Sequence, residues 1–158
     1  MTEDYLQIMV ESLEKKISVL DKVMELDKRQ LELALAKPAD MKAIDATMEE
    51  KGTLIDELGK LDDGFTSTYE RIREEVQANP EKYKEQVGKL QELVRIAVEK
   101  GVSIEAQEKR NKQALQAIFS QKRKEVKQVK VSTAAASQYY KSMSKINDID
   151  PQLMDRKK

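Results

Sequence analysis

Any chemistry in this chain has to proceed without imidazole, thiol or indole, because its 158 residues include no His, no Cys and no Trp. That removes the usual general base, the thiolate nucleophile, the disulfide and the common zinc ligands together. Carboxylates remain, and Glu49-Glu50 and Asp62-Asp63 are adjacent pairs that could divide acid and base roles or hold a hard cation. In a chain with 29 acidic residues, such pairs arise on solvated helix faces by composition alone. No glycine-rich phosphate loop or nucleophile motif accompanies them. The sequence therefore predicts a protein that is not an enzyme, with no catalytic residue, no metal and no cofactor.

A polyanion is the next candidate ligand. Gln121–Lys130 reads QKRKEVKQVK, five basic residues against one acidic. It carries no aromatic residue for base stacking and sits in no recognisable nucleic-acid module, and a basic stretch near a helix end also complements the helix dipole. Nucleic acid is thus the weaker reading. Net charge is zero, yet residues 1–80 hold 11 Lys+Arg against 19 Asp+Glu (−8) and residues 81–158 hold 18 against 10 (+8). Halves of opposite sign attract when the chain folds back on itself, or the basic half seeks an acidic partner; the first reading is preferred.

The elements that position these groups are helices. Charged residues make up 37% and aromatic residues 4%, with only five Gly and three Pro, a profile of long helices or coiled coils. No apolar run approaches the roughly 18 residues of a membrane span, and the chain opens on acidic residues, unlike a signal peptide. A soluble, cytoplasmic protein is expected.

Leu6, Val10, Leu13, Ile17, Leu20, Met24, Leu31 and Ala34 repeat in steps of four and three, interrupted once at Asp27, and predict a helix over about residues 4–36. Pro38 breaks it, and Asp40 is placed to cap the next. Met41, Ile44, Met48, Ile55, Leu58, Phe65, Tyr69, Ile72 and Val76 form a second seam over residues 41–78, interrupted at Lys51 and Asp62. Its register survives Asp62-Asp63-Gly64, so the helix is read straight through. Gly52 and Gly59 share a face, either a soft solvated one or a close approach to a neighbour.

Asn79-Pro80-Glu81 reads as a cap, a first helical proline and an acidic first turn, which starts a third helix over residues 81–130. Leu93 and Ile96 widen its seam of Tyr83, Val87, Leu90, Val94 and Ala97 into a face able to meet two helices. Gln107–Gln113, seven polar residues in a row, fits no ordinary core layer. At about 1.5 Å per residue, a helix reaching Lys130 would outrun the hairpin, so its last third must overhang or bend near Gly101. The expected fold is all-α, an elongated antiparallel bundle or coiled coil of three long helices forming one domain over residues 1–130, followed by a mobile tail over 131–158.

Such a bundle should be complete before Leu115, yet Leu115, Ile118, Phe119, Val126, Tyr139, Tyr140, Met143 and others follow. These residues either pack on the bundle or on a second copy, or they line a groove for an amphipathic partner helix with Met and Tyr as adaptable contacts.

Ser12–Lys16 (SLEKK), Glu50–Ile55 (EKGTLI), Lys60–Phe65 (KLDDGF), Val102–Glu108 (VSIEAQE) and a terminus running from Tyr139-Tyr140 to Met154-Asp-Arg-Lys-Lys158 span nearly the whole chain. With this helical layout, they resemble the flagellar export chaperones of the FlgN/FliT group, especially Gram-positive forms. The resemblance implies a cytosolic chaperone that binds the C-terminal amphipathic helix of a hook-associated or filament-cap protein, prevents its premature assembly and brings it to export apparatus components. It implies no nucleotide or metal. Carried onto this chain, the partner-binding role falls on Ile104, Leu115, Ile118, Phe119 and Val126, with Tyr139, Tyr140 and Met143 secondary. The alternative from the heptads is a self-associating coiled-coil adaptor without a client, and either a monomer or a homodimer is compatible with the sequence.

Overall fold

The computed structural model describes residues 1–120 and 138–140. Among them there are three long helices and no strand: α1 (Thr2–Leu35), α2 (Met41–Ala78) and α3 (Lys84–Phe119). At 34, 38 and 36 residues they are matched in length, each about 50–57 Å at 1.5 Å per residue. The expected stretch over 121–130 lies outside the described residues, and with it any overhang.

The local signals act as read at the first turn. Asp40 accepts a hydrogen bond from the Ala43 amide at 3.1 Å and caps α2, satisfying one of the orphan donors of its first turn. The α2 helix runs unbroken through Gly64, and α3 runs unbroken through Gly101. A Cβ added at Gly52, Gly59 or Gly64 would meet nothing within 4 Å, so these glycines lie on an open face and no neighbouring helix crowds them.

The second corner differs from expectation. Pro80–Tyr83 is a turn, and α3 begins at Lys84. Asn79 closes α2 instead of opening α3: its amide Nδ2 donates to the Glu75 carbonyl (3.0 Å) and to Glu75 Oε1 (2.8 Å). Tyr83 Oη donates to Glu75 Oε2 at 3.3 Å, so Glu75 draws both sides of the corner together and uses the residues that would otherwise have begun a helical turn.

The helix that meets two neighbours is α1, not α3. Its buried residues run Leu6, Met9, Val10, Leu13, Lys16, Val19, Leu20, Val23, Leu26, Asp27, Gln30 and Ala34 in steps of three, one and four, a stripe wide enough for two partners. Helices α2 and α3 each pack on α1, but no Cα of α2 lies within 8 Å of a Cα of α3. Among the described helices, the layout is a spine with two flanking helices whose backbones stay apart.

Three apolar clusters stack along the spine. The first joins Leu6, Met9, Val10 and Leu13 to Ile72, Val76, Tyr83, Val87, Leu90 and Val94. The middle one joins Val19, Leu20 and Val23 to Leu58, Ala97 and Ile104, and it includes Tyr140. The last joins Ala34, Ile44, Leu115 and Phe119.

Candidate partner-binding groove

Between the clusters the seams are polar, and the interruptions face one another. Asp27 of α1, Lys51 of α2 and Gln107, Glu108 and Asn111 of α3 form one layer between the middle and last clusters. Lys51 Nζ donates to Glu108 Oε2 (3.0 Å), Asp27 Oδ1 (3.1 Å) and Gln30 Oε1 (3.2 Å), which uses all three ammonium hydrogens. Asn111 Nδ2 donates to the Asp27 carbonyl (2.8 Å) and Gln30 Oε1 (3.0 Å), and Gln30 Nε2 donates to Thr47 Oγ1 (3.1 Å). The polar run that fits no apolar layer is thus a polar layer, reached at Gln107, Glu108 and Asn111 by the same periodicity that buries Ile104 and Leu115.

The layer is dry. Side-chain exposure is 0% for Asp27, 3% for Glu108 and 10% for Lys51. Burial pushes the Asp27 carboxyl up to about 8, against the pull of Lys51 and with the push of Glu108. A second bridge separates the first and middle clusters: Lys16 Nζ of α1 donates to Asp62 Oδ1 of α2 at 2.6 Å. Asp62 is the other interruption of the α2 seam.

Into the middle of this arrangement comes the C-terminal part of the chain. Gln138–Tyr140 form a helical turn. Tyr139 Oη donates to Asp62 Oδ2 at 3.0 Å, so one carboxylate ties Lys16 and Tyr139 together. Tyr140 is buried in the middle cluster beside Glu108 and Asp27, and its ring stands edge-on to that of Tyr139 with centroids 5.3 Å apart. Burial first, then these neighbouring carboxylates, raises both phenols above their ordinary range. The pair thus bonds Asp62 of α2 through Tyr139 and packs, through Tyr140, in the cluster that holds Leu58 of α2 and Ala97 and Ile104 of α3. A tail free of the bundle is therefore not what these three residues form; the rest of 131–158 lies outside the described residues.

The other partner-binding candidates are distributed differently from expectation. Ile104 is fully buried in the middle cluster; Leu115 and Phe119 are buried against Ala34 and Ile44 in the last, with Ile118 half-buried beside them. They are not surplus, because α3 ends level with the hairpin and these residues close its far end. Val126, Met143 and the basic run Gln121–Lys130 lie outside the described residues. Of the expected set, Ile104, Tyr139 and Tyr140 are brought together, and Leu115, Ile118 and Phe119 form a separate group. Sequence reasoning missed Asp27, Lys51, Asp62 and Glu108 as interior groups; their place on the apolar stripes was the available signal.

Beside the Lys51 layer, a cavity of about 200 Å³ lies between α2 and α3, lined by Met48, Lys51, Ile55, Glu108, Asn111 and Leu115 among others. Large exposed apolar side chains at Ile8, Leu35 and Val102 are scattered along the molecule. Ile8 and Leu35 alone are about 40 Å apart along α1 at 1.5 Å per residue, so they do not make one patch. No described helix is long and apolar enough to cross a membrane, and no described cluster of acidic residues is fit to hold a metal ion. No protein family, curated protein or solved structure matches the chain.

Proposed function

We propose that this chain is a non-catalytic, cytoplasmic chaperone whose groove between α2 and α3 receives an amphipathic helix from a partner, and that the partner is the C-terminal helix of a flagellar hook-associated or filament-cap protein. The observation that carries the helix-binding part is Gln138–Tyr140: a helical turn from the chain's own distal part is seated where α2 and α3 do not meet, with Tyr140 buried. A site that seats one helical segment through apolar packing and a hydroxyl–carboxylate bond has the chemistry to seat another. The flagellar assignment rests on the sequence resemblance. The client helix displaces Tyr139 and Tyr140 and packs on Val19, Val23, Leu58, Ala97 and Ile104, so that Ile104 serves as a contact while Leu115, Ile118 and Phe119 support the end of the groove.

The test is calorimetric titration of the full chain and its Y139A/Y140A variant with synthetic peptides of C-terminal helices from hook-associated and filament-cap proteins. One-to-one binding is expected, about tenfold or more tighter in the variant, because an occupied groove lowers apparent affinity by the fraction that is open. Absence of binding by every peptide to both forms would sink the reading.

A further inference from the structure

The cavity between α2 and α3 has the size and the walls to hold one aromatic ring. Its volume of about 200 Å³ exceeds the roughly 150 Å³ of a cavity that accommodates benzene. Met48 and Ile55 of α2 and Leu115 of α3 form apolar walls, and Gly52, where an added Cβ meets nothing within 4 Å, leaves part of the α2 wall without a side chain. The polar floor has little to give a ligand. Lys51 spends its three ammonium hydrogens on Asp27, Gln30 and Glu108, and Asn111 Nδ2 spends its two on the Asp27 carbonyl and Gln30. Of the Glu108 carboxylate, Oε2 holds Lys51 and Oε1 is closed to solvent. At the rim, Asp56 of α2 and Lys112 of α3 are exposed and opposite in sign, so the entrance favours neither a cation nor an anion.

We propose that this cavity is the socket for a phenylalanine-like side chain on the partner helix. A ring suits such a mixed lining better than an aliphatic chain does: its face attracts a cation such as Lys51, its edge attracts a carboxylate, and methionine sulfur packs well against it. The chain itself already buries one aromatic residue beside the same two helices, Tyr140 in the cluster with Leu58, Ala97 and Ile104. Leu58 and Lys51 are seven positions apart on α2, and Ile104 and Asn111 are seven apart on α3. Seven residues span about 10 Å at 1.5 Å per residue, so a helix packed on Leu58 and Ile104 reaches the cavity within two further turns. The source of the ring rests on the helix-binding reading, whereas the socket is a property of the chain alone.

The experiment titrates the full chain with toluene and follows the methyl NMR signals of Met48, Ile55 and Leu115. Saturable ring-current shifts at these methyls are expected, and G52L, which builds a side chain into the cavity wall, should abolish them. Leucine there replaces a glycine inside a helix, so the variant keeps its stability. Among the C-terminal-helix peptides that bind, one carrying phenylalanine should lose about tenfold or more in affinity when that residue becomes alanine, and a similar amount when the chain carries G52L. Absence of shifts at the three methyls, or shifts that persist in G52L, overturns the socket. Peptides that bind the chain and G52L equally well overturn the partner's ring as its occupant and leave helix binding standing. Failure of every peptide sinks helix binding and the ring with it, while the toluene result still decides the socket. A dimer that both toluene and G52L dissociate assigns the socket to a second copy of the chain and overturns the partner assignment.

Discussion

Lys51 and Glu108 lie 57 positions apart in sequence, on helices whose Cα atoms nowhere approach within 8 Å, yet Lys51 Nζ and Glu108 Oε2 are 3.0 Å apart. The bond spans the gap that separates α2 from α3, and with Asp27 it ties both flanking helices to α1 at one level.

Removing the ammonium from this level should be costly. K51M leaves Asp27 and Glu108 buried without a counter-charge, and loss of one partner from a buried ion pair typically destabilises by about 3–5 kcal/mol. Urea denaturation at about pH 9 should show a loss of that size, smaller at about pH 5, where the Asp27 carboxyl, raised to about 8, is protonated. Equal losses at the two pH values would contradict a buried pair of carboxylates.

Asp27 also gives stability a pH dependence of defined sign. Its carboxyl titrates near 3.8 when unfolded and at about 8 when folded. Between those values the native state holds a proton that the unfolded state has lost, so this contribution is full below pH 3.8 and declines as pH rises to about 8. Relative to D27N, the wild type should lose stability across this window with a slope of up to about 1.4 kcal/mol per pH unit. Parallel thermal-melting profiles for the two proteins would exclude it.

The far end of the bundle is structural. Phe119 and Leu115 are almost fully buried against Ala34 and Ile44. F119A should cost about 3–5 kcal/mol and L115A about 2–5 kcal/mol in chemical denaturation. Serine at Leu115, Ile118 and Phe119 together should melt this end instead of leaving a sound bundle with a disabled surface; an unchanged denaturation midpoint would restore them as surface residues.

Gly64 lies on the open face of α2, where an added Cβ meets nothing. G64A should raise stability by about 0.5–1 kcal/mol, the gain of alanine over glycine inside a helix, read as a higher midpoint with an unchanged m-value.

The helices were legible because their periodicity is local: the seams around Leu6 to Ala34 and Met41 to Val76, the breaks at Pro38 and Pro80, and the cap at Asp40 each involve residues within a few turns. Asp27, Lys51 and Asp62 were visible only as faults in those seams. Their meaning depends on which faults meet across helices, and that depends on alignment over dozens of residues, to which a single helix period is blind. Leu115 to Phe119 read as surplus because the polar run Gln107–Gln113 interrupts the apolar face before them, whereas α3 sets them against Ala34 and Ile44. Tyr139 entered the sequence reading as a secondary partner contact, and its hydroxyl bond to Asp62, between positions 77 apart, lies beyond the reach of any helical period.

Among the described residues, α2 and α3 set their backbones against α1 and meet each other through side chains alone. Splaying α2 away from α3 by rolling both on α1 would therefore stretch side-chain contacts and no close backbone packing between these two helices. The Lys51 level resists that splaying directly, and the Asp62–Tyr139 bond fixes Gln138–Tyr140 to α2 beside it. Where the polar levels fall along the axis therefore sets which stretch of α2 faces which stretch of α3.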